Sequence, residues 1–140
     1  MDNCCFNRPF ASQVQVRIRL ETEAKLRIQE RVVADEIELA WSYILDYESA
    51  ANPFEERRAA VSSWKRRSVV DISETPAVLE YAKSLAALGV HSKDALHVAC
   101  AVEAGCDYFV TTDDFLLKKL AKHTQIMAVD PTAFVRSTEQ

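Results

Sequence analysis

Glycine is nearly absent from this chain, with two in 140 residues, and proline appears only four times. Flexible linkers and long disordered stretches need more of both, or a far more polar composition, and are excluded. No apolar run approaches the roughly 20 residues that a membrane-spanning helix requires, so no membrane partner is expected. The opening Met1-Asp2-Asn3-Cys4-Cys5 has neither the basic start nor the apolar stretch of a secretion leader, and the cytoplasm is the expected compartment. Cysteine pairs at zinc-binding spacing are lacking: Cys4 and Cys5 are adjacent, while Cys100 and Cys106 stand alone in an apolar helical segment. Cys100 and Cys106 are expected as small buried hydrophobes, and no catalytic thiol is expected. An excess of positive charge is also missing, since 17 basic against 21 acidic residues leave a net charge of −4. That balance argues against tight, sequence-blind binding to long duplexes, where affinity comes from neutralising phosphates, but leaves room for a local basic site.

What remains is an ordinary globular composition, 49% hydrophobic and 27% charged, of a length that suits one domain over residues 1–140. Arg17 to Val33 reads as a helix with Ile18, Ala24, Ile28 and Val32 along one stripe. Its Arg17, Arg19, Arg27 and Arg31 alternate with Glu21, Glu23 and Glu30, as expected for helical ion pairs. Glu38 to Trp41 reads as a short strand, followed by a helical turn through Ile44, Leu45 and Tyr47 that stops at Asn52-Pro53. A helix over 54–67 leads to a β-branched strand over 69–72. Thr75-Pro76 is an N-cap followed by proline at the first helical position, opening a helix that ends at Gly89. A second helix runs over 92–104 to Gly105. A strand over 108–111, a helix over 113–122 and a strand over 126–129 complete the pattern before Asp130-Pro131. Strands alternating with helices imply a three-layer α/β/α sandwich around a central parallel sheet, with its functional crevice at the carboxyl ends of the strands.

Acids stand at those ends. Asp113 follows the strand Tyr108-Phe109-Val110, Asp94 opens an apolar helix, Glu48 lies about two turns after the strand at Trp41, and Asp2 is at the start of the chain. Two carboxylates about 4 Å apart repel by roughly 4 kcal/mol at an effective dielectric near 20, so a fold that gathers several needs a cation. Carboxylate oxygens and water suit Mg²⁺ or Mn²⁺. Each acid also has a plainer role: Asp113 as a helix N-cap, Asp94 as a first-turn acid favoured by the helix dipole, Glu48 as a solvated surface side chain, Asp2 as part of a loose terminus. Trp41 and Trp64 read as core residues, His91 as a loop residue, His97 as a packed histidine, and Lys65-Arg66-Arg67 as a solvated face.

The stretch Ser92-Lys93-Asp94-Ala95-Leu96-His97-Val98-Ala99, followed by Gly105-Cys106-Asp107-Tyr108-Phe109-Val110-Thr111-Thr112-Asp113, resembles the carboxyl-terminal half of PIN domains. Asp2-Asn3 resembles the family's opening motif, and Ser42 with Glu48 resembles its serine–glutamate element. The likeness covers nearly the whole chain. It implies that Asp2, Glu48, Asp94 and Asp113 are the catalytic acids that bind the metal, Mg²⁺ or Mn²⁺. Asn3, Thr111 and Thr112 match polar positions that help arrange the site; Arg8, beside it, is the candidate phosphate contact. Asp107 and Asp114 rank below the four. The implied activity is a metal-dependent endoribonuclease, the toxin of a toxin–antitoxin pair being one form, with RNA, a small antitoxin protein and a second copy of the chain as partners. One departure is that the family places a short apolar strand before its first aspartate, where this chain has only Met1. Either the reading frame begins further upstream or the first strand is missing, which would leave the middle of the sheet without a pairing partner. For this form the expectation is a displaced N-terminus and weak or absent activity. The alternative function is a non-catalytic PIN-like binding module. A phospho-acceptor receiver domain fits less well, because it needs acids closing a first strand.

Overall fold

A computed structural model describes residues 9–122 and 125–139. Along the chain run helix α1 (Pro9–Val33), strand β1 (Ala40–Ser42), α2 (Tyr43–Ala50), α3 (Glu55–Lys65), β2 (Val70–Ile72), α4 (Pro76–Ala87), α5 (Ser92–Glu103), β3 (Tyr108–Val110), α6 (Asp114–Leu120), β4 (Met127–Val129) and α7 (Pro131–Thr138). The domain is mixed α/β with short parallel strands, as the alternating pattern implies.

Local chemistry sets the boundaries. Thr75 Oγ1 accepts the Val78 N–H at 3.2 Å, and Pro76 takes the first helical position, where its missing donor costs nothing. Asp130 and Pro131 repeat that arrangement at the start of α7, with the Ala133 N–H 2.7 Å from Asp130 Oδ1. The chain then has a helix where the sequence reading placed none. Helices α1, α4 and α5 close alike. Glu36, Val90 and Cys106 donate back to the carbonyls of Arg31, Leu85 and Ala101, and the residue before each adopts a left-handed φ. Glycine supplies that conformation at positions 89 and 105. At the end of α1 it is Asp35, with φ of 59°, one of the few side chains that tolerate it.

The core lies around α4 and α5. Val78 and Val98 have no exposed surface, and Leu85, Ala95, Ala99, Leu116, Leu120 and Ile126 are buried with them. Each fully buried aliphatic side chain there contributes roughly 1.5–3 kcal/mol relative to exposure. Cys100 is buried in this cluster and Cys106 packs against it, as small hydrophobes; burial pushes both thiols up. On the other side, α1 packs against α7. Its expected stripe holds for Ala24 and Val32, which are buried, but Ile18 is 57% exposed because the amino-terminal half of the helix runs past the core.

β1 pairs in parallel with β2, Ala40 opposite Val70, and β3 pairs in parallel with β4, Tyr108 opposite Met127. Among the described residues these are two separate two-stranded parallel sheets. Helix α5 contacts both β1 and β3. A cavity of about 600 Å³ is lined by residues of both strands, by α5, and by α1 and α7.

Candidate metal centre

Asp113 is placed by the end of β3. Its backbone N–H donates to Thr111 Oγ1 at 3.1 Å, a short turn that leads the chain out of the strand. Its side chain caps α6, Oδ1 accepting the Leu116 N–H at 3.2 Å. The plainer role read for Asp113 is therefore filled, while Oδ2 has no partner among the described residues. Asp113 is exposed, as is Thr112, and Thr111 is half-buried.

Asp94 lies in the first turn of α5, half-buried, and its side chain has no hydrogen bond or ion pair among the described residues. The buried Ala95, Val98 and Ala99 hold that face of α5 against the core, which fixes the helix that carries Asp94. Glu48 comes from α2, the helix that leaves β1 directly. Its Oε1 meets His97 Nε2, one turn beyond Asp94 on α5. His97 is therefore more than a packed histidine: it holds the acid that follows β1 against the helix that precedes β3. Spacing along the chain gave no sign of this pair, whose members are 49 residues apart.

Asp2, Asn3 and Arg8 lie outside the described residues. Among the described ones, no group of three His, Cys, Asp or Glu side chains is assembled closely enough to hold a metal ion together. The donor chemistry suits a hard divalent cation, since Glu48, Asp94 and Asp113 all offer carboxylate oxygens. Two of the three are engaged elsewhere, Glu48 by His97 and one oxygen of Asp113 by the α6 cap.

Asp114 and Asp46 have partners of their own. Asp114 receives both guanidinium nitrogens of Arg17, at 2.5 and 3.0 Å, and that guanidinium holds its carboxyl below the usual carboxylate range. Asp107 precedes β3, where its carbonyl accepts the Met127 N–H. Asp46 accepts from the Trp41 indole and from Lys65, each at 3.0 Å, and the indole hydrogen bond first, then the lysine, lower its pKa. Trp41 is buried as read; Trp64 is half-buried. Of the basic run after α3, Lys65 pairs with Asp46, and Arg66 and Arg67 are exposed. His91 sits at the α5 N-cap position with its ring 5.5 Å from that of Phe115. Among the described residues, no helix is long and apolar enough to cross a membrane.

Compared with known families, residues 6–123 match the model of the PIN domain, a span that includes Glu48, Asp94 and Asp113. No curated protein and no solved structure matches the chain.

Proposed function

The chain belongs to the PIN-domain family, whose members are nucleases, and from that premise we propose that it is a metal-dependent endoribonuclease hydrolysing RNA phosphodiester bonds. The observation that supports this most is positional. Asp113 closes β3, Glu48 follows β1 on α2, and Asp94 lies on α5, the helix that contacts both of those strands. Acids so distributed fall where an open parallel sheet carries its functional crevice.

In this reading Asp94, Asp113 and Glu48, with Asp2, hold Mg²⁺ or Mn²⁺. Such a metal supplies an activated water and neutralises charge on the phosphodiester. The chain's own residues do the positioning. Thr111 fixes the backbone at Asp113, the buried face of α5 fixes Asp94, and His97 holds Glu48 beside that helix. Arg8 and the exposed Arg66 and Arg67 are the candidate phosphate contacts. The finer proposals are a cytoplasmic toxin held by a small antitoxin protein, and a homodimer. Exposed apolar residues on α1, Val14, Val16, Ile18 and Leu20, offer surface to either partner.

Calorimetric titration with Mn²⁺ of the native chain and of its Asp94→Asn variant tests the reading. Saturable binding that the variant loses is the expected result, with RNA cleavage lost in parallel. No binding by the native chain would overturn it. A second reading, a PIN module that binds without cleaving, is favoured by the Glu48–His97 contact, which occupies one of the acids. Glu48→Gln separates the two: it weakens metal binding in the enzyme and leaves partner binding unchanged in the module.

A further inference from the structure

Two aromatic rings stand beside two of the acids. His91 precedes Asp94 by three residues at the entry to α5, and Phe115 follows Asp113 by two in α6. A helix rises about 1.5 Å per residue, so each ring lies within roughly 5 Å of its acid along the axis. The two rings meet, with centroids 5.5 Å apart and planes tilted by 34°. That contact ties the start of α5 to the start of α6, and with them the segments that carry Asp94 and Asp113.

Phe115 is 47% exposed, while its neighbour Leu116 is buried in the core. A phenyl ring left half in water forgoes part of the burial that usually holds it. Its surroundings are cationic. Lys119, one turn further along α6, holds Nζ 5.4 Å from the ring centroid. Gly89 gives that side chain its room, since a Cβ there would lie 3.1 Å from the same nitrogen. Lys93 and Lys118 are exposed as well, and none of the three lysines has a carboxylate partner among the described residues. An open ring face among unpaired cations is what single-stranded nucleic acid binds, through stacking of bases and contacts to phosphates. A stacked base is the stronger occupant, because an exposed ammonium over a ring contributes less than a base does. A base therefore displaces Lys119 from the ring and leaves its ammonium for the adjoining phosphate.

We infer that Phe115, flanked by His91, is a stacking platform for one unpaired base of single-stranded RNA, with Lys119 contacting the phosphate beside it. The choice of RNA as ligand rests on the nuclease reading. The contacts themselves require neither a metal nor cleavage, so they can be tested apart from it.

The probe is fluorescein-labelled hexaadenylate, titrated with the native chain in EDTA and followed by fluorescence anisotropy. Its comparison is a labelled hexamer of abasic ribose phosphate, which carries the charge without the bases. Saturable binding of hexaadenylate is expected, about 10-fold tighter than that of the abasic hexamer. Phe115→Leu keeps an apolar side chain but removes the aromatic face. It should bring the two probes to equal affinity with Tm nearly unchanged, whereas Phe115→Trp should keep the preference. Lys119→Gln should weaken both probes alike and reduce the slope of log affinity against log salt by about 0.7. Equal affinity of the native chain for the two probes overturns the platform, as does a Phe115→Leu variant that retains the preference. Absence of saturable binding overturns it too, and if acetyl-Asp-Glu-Phe-Asp-Glu-amide saturates instead, the surface belongs to an acidic protein partner. A chain that shows the expected pattern but binds no Mn²⁺ keeps the platform and loses the nuclease reading. One that cleaves RNA with no effect of Phe115→Leu on binding loses the platform alone.

Discussion

The pair α4–α5 and the pair α1–α7 are held by opposite means. Between the first two, the contact is made by side chains with almost no exposed surface, Val78, Leu85 and Val98 among them, and the helices are close neighbours in the chain. Between the second two, Arg31 is buried to 8% exposure with its guanidinium 2.6 Å from Thr138 Oγ1 and over the ring of Phe134. Arg27 reaches Glu139 at 2.5 Å, and Arg17 reaches Asp114 on α6. Local apolar burial is insensitive to salt and pH, whereas charged ties between distant segments respond to both. The fold is thus robust where α5 carries Asp94 and adjustable where α1 closes one side of the cavity.

Three experiments press on that contrast, the largest effect first. Leu85→Ala, in the apolar pair, should cost about 3 kcal/mol through lost burial and a residual cavity, and lower Tm by about 10 °C. Thermal unfolding checks this, and a loss under 1 kcal/mol would mean that the pair is not the stability centre. Arg31→Ala, in the polar pair, should cost about 2 kcal/mol in urea unfolding, since a charged hydrogen bond and the packing of the arginine stem go together. Hydrogen exchange should then quicken in α1 and α7 but not in α4 and α5; uniform quickening would erase the distinction between the pairs. The smallest effect belongs to Asp114→Asn. Arg17 depresses the Asp114 pKa, so this ion pair contributes above the ordinary carboxylate pKa near 4, and its contribution is lost as pH falls through the lowered value. The variant should match the native chain below that window, fall slightly short of it at neutral pH, and lose the difference in 1 M salt. A salt-independent difference would show that the contact is not electrostatic.

Much of the first pair was legible in the sequence, and little of the second. Thr75-Pro76 and Gly89 mark their helix by local chemistry, which travels with the residues themselves, and the apolar spacing of 92–104 marks the next. The same cap-and-proline signal at Asp130-Pro131 was there to be read, yet α7 went unplaced because the segment after it is short and polar. Arg31 was expected in a series of helical ion pairs with Glu21, Glu23 and Glu30. Its burial depends on Phe134 and Thr138, about a hundred residues away, and no local pattern encodes that. At the candidate centre, the position of Asp113 after a strand and of Asp94 at a helix start could be read from periodicity and caps. The meeting of Glu48 with His97 could not, because it depends on how α2 docks against α5.

The clasp between α1 and α7 also has a consequence in time. A ribosome adding about 5–20 residues per second releases α1 some 5–20 seconds before it has made Phe134, Thr138 and Glu139. Over that interval α4 and α5 can already close on each other, while Arg31, Ala24 and Val32 have no surface to settle against. Helix α1 is thus made well before the helix it packs against, and its apolar positions stay open to a chaperone, or to another newly made chain, until α7 emerges.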